Sequence, residues 1–392
     1  MTTAEPPDYS LVVGGPLVHL YRKAHLSDDD LELLWRRILV ISLVAWLPLL
    51  LLSKLEGHAL HGSVQIPFLY DVEAYVRFLV ALPVLIAAEL VVHRRVTGAV
   101  NKFVERRIVT GDDLPKFDLA IRSTTRLRNS VALEVLLVVL VYTGGSWIWR
   151  SQIALGSATW YAFPDKAHLN LTLAGYWYCL VSIPIFQFIM FRWTLRLGLW
   201  YRLLWQISKL NLHLTGAHPD RCGGIGFLGA TSYAFGPILF AQGCLLSGMI
   251  ANRVLYAGQS PISFKLEAIG LIVVLVLLIL GPLLMFAPVL ERAKRQSLAE
   301  YGLLASRYVF GFEEKWIRRG APDTADLLGS GDIQSLADLG NSYTVVREMR
   351  PVPFGIRDVA RLAAATAAPL LPLALTMFSL DELVTRLLKV VF

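Results

Sequence analysis

The sequence predicts an all-α, polytopic membrane protein with about seven transmembrane helices and a long cytoplasmic helical extension. The strongest observation is residues 268–290, which carry no charged or hydrogen-bonding side chain and are followed at once by the segment 291–295, in which four of five residues are charged. As a helix this run is about 34 Å long, which is enough to cross the hydrocarbon of a bilayer. Several weaker apolar runs follow one another along the chain, and the composition is 55% hydrophobic with only 17% charged residues. A soluble chain would carry more charge, so we expect the bilayer to be the solvent.

The distribution of positive charge orients the predicted helices. The net charge is +7, and 28 Lys and Arg residues fall in the segments that we place inside, against five in the segments that we place outside. This asymmetry follows the positive-inside rule and places the N-terminus in the cytoplasm, with the protein in a bacterial inner membrane. Because membrane topology accounts for the basic charge, we expect no nucleic-acid partner.

The predicted elements of residues 1–290 are described first. Residues 1–33 form a cytoplasmic N-terminal segment, in which Ser27 and the three aspartates after it supply an N-cap and an acidic first turn for a helix that continues into the first span. Two basic cytoplasmic loops are expected at residues 93–130 and 192–230, and the fourth span is expected to extend as a helix to about residue 210. The six spans of residues 34–290 are predicted at 34–52, 75–92, 131–149, 173–191, 234–255 and 268–290.

The largest cytoplasmic portion is predicted at residues 291–358, and it opens with a long helix over residues 291–319. One stripe of that helix can pack against cytoplasmic helices of the same chain or against a second copy of the chain. The residues of the stripe are Leu298, Tyr301, Ala305, Tyr308 and Phe312.

The C-terminal region is predicted to hold a seventh span and one more helix. The span is placed at residues 359–378, and an amphipathic helix that lies on the membrane surface is placed at residues 379–392. Seven complete spans put the C-terminus outside. A seventh segment that folds back at Pro369 and Pro372 would leave it inside.

Four polar residues within the predicted spans are candidates for lining a solute pathway, because polar groups in hydrocarbon are costly. Glu89 and Glu134 occupy matching depths near the cytoplasmic ends of the second and third spans, where they could meet. Local ion pairing of Glu89 with the nearby His93 is the alternative. Gln187 and Gln242 lie deeper in the fourth and fifth spans, where they can line a pathway or form hydrogen bonds between helices.

The glycine-rich loop at residues 216–229 is the most distinctive local sequence. Its candidate residues for binding an anion or a lipid headgroup are His218, Arg221, Gly223, Gly224 and Gly226. Backbone N–H groups of such a loop can form an anion-binding nest where φ is positive. The alternatives are a tight reversal packed on the membrane face, and a gate or re-entrant element. The formal G-x-G-x-x-G match is no dinucleotide fingerprint, because no strand precedes it.

Other polar residues have simpler explanations. Arg77 lies one turn after Glu73 near the outer end of its span, so we expect a local ion pair or a side chain that extends to the membrane interface. His58 and His61 have a spacing compatible with a metal but lack a third ligand, so we predict no metal site and no cofactor. The three cysteines form no C-x-x-C pair, and no catalytic motif is recognisable.

Three functional hypotheses follow. The first is an oligomeric channel or transporter for a small ion or solute, since the spans carry polar residues and prolines and the basic cytoplasmic segments would concentrate anions. The second is a sensor or assembly scaffold that binds a cytoplasmic protein partner through residues 291–358. The third is a membrane-embedded enzyme. Its acid–base candidates are Glu89, Glu134, His218 and Asp220.

Overall fold

The computed structural model describes residues 9–18, 33–60, 64–145, 159–164, 169–318 and 331–375, and most of these residues are helical. The helices are α1 Leu34–Leu55, α2 Val72–Glu105, α3 Gly111–Arg128, α4 Val131–Gly144, α5 Leu173–Ser208, α6 Phe227–Ala257, α7 Pro261–Arg318, α8 Gly331–Arg347 and α9 Ile356–Ala367, which continues through Ala368–Leu370 and Leu371–Leu375. Strand β1, Ala162–Pro164, pairs with the antiparallel strand β2, Leu169–Leu171.

The described helices are those of a membrane-embedded protein, and this part of the prediction is confirmed. Five of them, α1, α2, α5, α6 and α7, are long and apolar enough to cross a membrane, and α3 with α4 makes a sixth span if that pair, bent by 46°, is counted as one. Their outward faces expose apolar side chains that lipid would cover. On α1 and α7 these include Leu39, Leu43, Leu47, Leu51, Ile269, Val273 and Leu277.

Helix α2 forms the centre of the bundle. Its 34 residues are about 51 Å long, more than the hydrocarbon thickness of a bilayer. Helices α1, α5 and α6 pack around it, and the Trp193 Nε1 of α5 donates to the Leu85 carbonyl of α2 at 3.0 Å. The α2 side chains that are fully or almost fully buried include Leu82, Leu85, Ala88, Val92, Val96, Val100 and Phe103.

The order of contacts along the helices shows their directions. Tyr178 at the start of α5 contacts Arg77 at the start of α2, whereas Phe227 at the start of α6 packs on Phe103 near the end of α2. Helices α2 and α5 therefore run in the same direction and α6 runs against them. We call the end where α2 and α5 finish the basic end, and the end where they begin the opposite end.

The seventh predicted span corresponds to α9, which lies along α6 but is not among the five or six helices that meet the length and composition of a span. Gly243 permits the close approach, since a Cβ there would overlap the carbonyl oxygen of Thr366. The Tyr233 hydroxyl of α6 donates to the Asp358 carboxylate of α9. Seven spans therefore stay a prediction, and the helix predicted at residues 379–392 lies outside the described residues, as does the predicted N-cap at Ser27.

Helix α7 is continuous from the sixth predicted span into the long helix predicted after it, over 58 residues in all. Helix α8 packs alongside the second half of α7. The Tyr308 hydroxyl donates to the Asp332 carbonyl at 3.0 Å, and the Tyr343 ring lies against Gly302. Part of the predicted stripe thus packs within the same chain.

Candidate functional site

Glu89 of α2 lies at the centre of a buried group of charges near the middle of the bundle. Its Oε2 accepts a hydrogen bond from Arg37 of α1, and its Oε1 accepts one from Arg196 Nη1 of α5 at 2.8 Å. Arg192, one turn earlier on α5, has its Nη1 3.7 Å from the same Oε1. These four side chains are at most 9% exposed. One carboxylate therefore holds three arginines from two other helices, an interhelical arrangement and not a local pair within α2.

Glu134 at the start of α4 joins this group. Arg192 Nη2 is 3.9 Å from Glu134 Oε1, so a single arginine bridges the two glutamates that the sequence placed at matching depths. The Oε2 of Glu134 accepts from the backbone N–H of Leu17 at 2.9 Å. We call Arg37, Glu89, Glu134, Arg192 and Arg196 the Glu89 cluster.

Residues 9–18 cover the Glu134 side of the cluster. Their side chains include Tyr9, Leu11 and Val12, all of them buried. The Thr97 hydroxyl of α2 donates to the Tyr9 carbonyl at 2.7 Å. Gly15 has a φ of +94°, and a Cβ there would lie 3.0 Å from Glu134 Oε1. Only glycine suits both that backbone conformation and that space, so the cover fits closely over the charges.

The two predicted glutamines lie elsewhere. Gln242 of α6 donates from Nε2 to the Met190 sulfur of α5 at 3.2 Å, which is a hydrogen bond between helices. Gln187 is half-buried and precedes Arg196 by about two and a half helical turns, which puts it on roughly the opposite face of α5. The structure therefore brings Glu89 and Glu134 together but does not bring Gln187 to them.

A second buried polar group, at the opposite end, was missed by the sequence analysis. Asp71 is 7% exposed, and its carboxylate accepts from Trp160 Nε1 and Asn252 Nδ2, both at 2.8 Å. It also caps α2 by accepting from the Ala74 N–H at 3.1 Å. An aspartate directly before an apolar helix is the usual N-cap signal, and that signal could have found Asp71.

Helices α2 and α5 each contain a widened π turn near this group, over Val76–Ala81 and Tyr178–Ser182. A proline follows each turn, and a proline cannot donate to the carbonyl four residues before it. The Leu180 carbonyl freed by Pro184 accepts instead from the Tyr142 hydroxyl of α4 at 3.3 Å. Such π turns are frequent at functional sites.

Arg77 joins the two π turns. It forms the predicted ion pair with Glu73, which is confirmed, and it also donates to the Tyr178 hydroxyl of α5. The hydrogen bond from Arg77 to Tyr178 therefore connects the two widened turns. It lies near the start of α2, the helix that also carries Glu89.

The glycine-rich loop folds around the carboxylate of Asp220. That carboxylate accepts from the backbone N–H groups of Cys222, Gly224 and Gly226 at 2.8, 3.1 and 2.9 Å. Burial favours a raised pKa for Asp220, but these three N–H groups outweigh it and hold the pKa below its ordinary value. The N–H groups predicted to form a nest for an external anion are therefore occupied by a carboxylate of the loop itself.

The candidate residues of this loop lie in unusual backbone conformations or in contacts with neighbouring segments. Arg221, Gly223 and Gly224 have φ values of 56°, 63° and 98°, whereas Gly226 has a negative φ. His218 Nδ1 lies 2.9 Å from Asp220 Oδ1, and Arg221 pairs with Glu348 at 2.9 Å.

The loop is also tied to the rest of the basic end. The Arg221 carbonyl accepts from the Arg350 N–H at 2.7 Å, and the Gly224 carbonyl accepts from Arg106 Nη1 of α2 at 3.3 Å. Burial raises the pKa of the Cys222 thiol to about 11, so this thiol stays protonated near neutral pH.

The four acid–base candidates form two separate pairs. Glu89 and Glu134 meet through Arg192, and His218 meets Asp220 in the loop. Arg106, which contacts the loop, follows Glu89 by about five turns of α2, a distance of about 25 Å. The two pairs therefore do not share one site.

No protein-family model, curated protein or solved structure matches this chain. Function must therefore be inferred from the geometry of its own residues. Within the described part of the chain, no three His, Cys, Asp or Glu side chains are grouped as a metal ion would require. His58 packs edge-on against the Phe163 ring at 5.3 Å, and His61 lies outside the described residues.

Proposed function

We propose that this protein is a membrane channel or transporter for a small ion or solute. The observation that carries the proposal is the Glu89 cluster, in which five charged side chains from four helices meet inside a membrane-embedded bundle, four of them buried and Glu134 partly buried. Charged groups in such positions are costly, and in membrane proteins they usually mark ion or solute pathways.

The opposite end of the bundle supports the same proposal. Arg77 and Glu89 lie on one helix, so α2 carries a partly buried ion pair near its start and the Glu89 cluster near its middle. The paired π turns beside Arg77 widen two neighbouring helices, and π turns are frequent at functional sites.

The topology and assembly that accompany this function are also proposals. We propose seven spans, a cytoplasmic N-terminus, a cytoplasmic α7 extension and α8, and an inner-membrane location, because the basic end carries most of the Lys and Arg residues. An assembly of several copies is proposed with them.

The test is flux into liposomes that contain the purified protein, measured for a panel of anions, cations and protons. We expect selective flux above that of empty liposomes. Arg192→Lys should change it, because lysine keeps the charge but cannot bridge two carboxylates with a planar fork. The matched control is Arg202→Lys, since Arg202 lies on the same helix but is exposed. Gln187→Leu tests whether the other face of α5 also lines the pathway.

A scaffold is the second candidate function, and one observation favours it. The half of α7 at the basic end exposes large apolar side chains that α8 does not cover, Leu303, Leu304 and Phe310 among them, each more than half exposed. If the folded protein shows no flux for any ion of the panel, the scaffold function is favoured. A search for proteins that bind this half of α7 would then be the next experiment.

A further inference from the structure

Two neighbouring arginines in the Glu89 cluster keep hydrogen-bonding capacity that no described residue uses. Arg196 donates from Nη1 to Glu89, but within the described residues its Nη2 has no partner and is sealed from solvent. Arg192 reaches Glu89 and Glu134 only at 3.7 and 3.9 Å, which are longer than hydrogen bonds. The two guanidinium groups lie one turn apart on the same face of α5.

The carboxylates of the cluster are already engaged. Glu89 accepts hydrogen bonds from Arg37 and Arg196, and Glu134 accepts one from the Leu17 N–H. A buried guanidinium donor without an acceptor is costly in a low-dielectric interior. The oxygens of a small anion at Arg192 and Arg196 would supply the missing acceptors.

We propose that Arg192 and Arg196 form a binding site for a small oxyanion of the carboxylate type. The guanidinium group is a planar fork of donors that matches two oxygens of one anion, and here the unused donors come from two forks side by side. The Arg196 guanidinium also lies 4.8 Å from the Trp193 ring centroid, which holds it on the α5 face. This inference rests on the proposed transport function, because it names the class of solute that would pass the cluster.

The surroundings of the site strengthen the attraction for such an anion. Residues 9–18 cover the Glu134 side, and the side chains of Arg192 and Arg196 are 8% and 4% exposed. Charges shielded from water in this way interact far more strongly than charges on a surface. Entry and release of the anion then require movement of the cover or of the helices beside it.

The test is binding of sodium acetate to the purified full-length protein in detergent, measured by saturation-transfer NMR with sodium chloride at equal ionic strength as reference. We expect acetate to bind the parent protein, and Arg192→Lys and Arg196→Lys each to weaken binding by about tenfold or more. Arg202→Lys, which removes an exposed arginine from the same helix, should leave the affinity unchanged. Absence of acetate binding, or equal affinity in all four proteins, would overturn the site.

Two further measurements keep the result decisive. If the lysine variants do not fold, the melting temperature of the parent should still rise with acetate concentration more than with chloride, and equal rises would overturn the oxyanion class. Acetate flux is then measured in liposomes. Binding without flux of any ion would keep the site and reject the transport function, whereas cation flux without acetate binding would keep transport and reject the site.

Discussion

Glu89 carries more of the charge balance than any other described side chain, since three arginines contact one carboxylate. We expect Glu89→Gln to lower the free energy of unfolding by about 3–5 kcal/mol, because it leaves buried guanidinium groups facing a neutral amide. The measurement is unfolding in detergent, followed by circular dichroism. The control is Glu73→Gln, which removes a half-exposed partner of Arg77 and should cost less than about 1 kcal/mol. Similar losses in both variants would contradict this account.

Asp220 shapes its loop through three backbone hydrogen bonds, and an amide cannot replace it. In Asp220→Asn an amide group would face at least one N–H donor, which costs about 1–3 kcal/mol locally. The loop should then open more often and expose Cys222. With Cys179 and Cys244 replaced by serine, we expect the Cys222 thiol to react with a dipyridyl disulfide about tenfold faster or more at neutral pH. Asp118→Asn, at an exposed aspartate, should leave the rate unchanged.

The lowered pKa of Asp220 also predicts a pH dependence. A carboxyl group whose pKa is lower in the folded loop stabilises that loop above the ordinary aspartate pKa of about 3.9, and this stabilisation is lost as the pH falls through the folded value. The Cys222 reaction, normalised to a free thiol, should therefore accelerate below about pH 4 in the parent. In Asp220→Asn the Cys222 reaction should be fast both at neutral pH and below about pH 4. A rate in the parent that does not change with pH would rule out this role of Asp220.

At the scale of elements, the contact between α6 and α9 depends on Gly243. A methyl group at this position would overlap the Thr366 carbonyl, so Gly243→Ala must push α9 away from α6. We expect a loss of about 1–3 kcal/mol in unfolding free energy, as for other overpacked contacts. Gly236→Ala is the matched control in the same helix, because no atom lies within 4 Å of a Cβ there. It should be neutral or slightly stabilising.

At the scale of the whole molecule, the distribution of charge predicts which end faces the cytoplasm. In a variant without the native cysteines, a cysteine at position 303 on α7 should be labelled by an impermeant maleimide only after the cells are opened. A cysteine at position 259, between α6 and α7, should be labelled in intact cells. Both positions are exposed. The reverse pattern would invert the proposed topology, and a C-terminal tag tested in the same way decides between seven spans and a seventh segment that folds back.

The sequence was sufficient to locate five spans, or six if the bent α3–α4 pair is counted as one, but not the partners of the polar residues inside them. Apolar runs and charge asymmetry depend on local composition, so α1, α5 and the start of α7 appear close to where they were expected. The Glu89 cluster depends on which faces of α1, α2 and α5 meet, and spacing along one chain does not contain that information. Arg192 and Arg196 were assigned to a cytoplasmic loop, but packing of α5 against α2 buries both.

The loop and the opposite end show the same limit. The glycines of the loop correctly indicated positive φ at Gly223 and Gly224, but the sequence did not indicate that Asp220 would fill the space they create. Asp71 and Asn252 are far apart in the chain and meet only because α2 and α6 run antiparallel. The sequence therefore located the glycine-rich loop and the Glu89–Glu134 pair, but it did not reveal the contacts that define them, and it did not locate the group around Asp71.

The continuous α7 has a mechanical consequence. Its part beyond Phe286 is about 48 Å long as a rigid rod, and α8 braces it along one side. In the topology that we propose, this part of α7 lies outside the membrane, and a tilt of about 5° at the membrane surface would move its far tip by about 4 Å, which is most of one helical turn. A displacement too small to separate the buried helices would then be magnified at the tip, and α7 would act as a lever between the membrane and the surrounding solution.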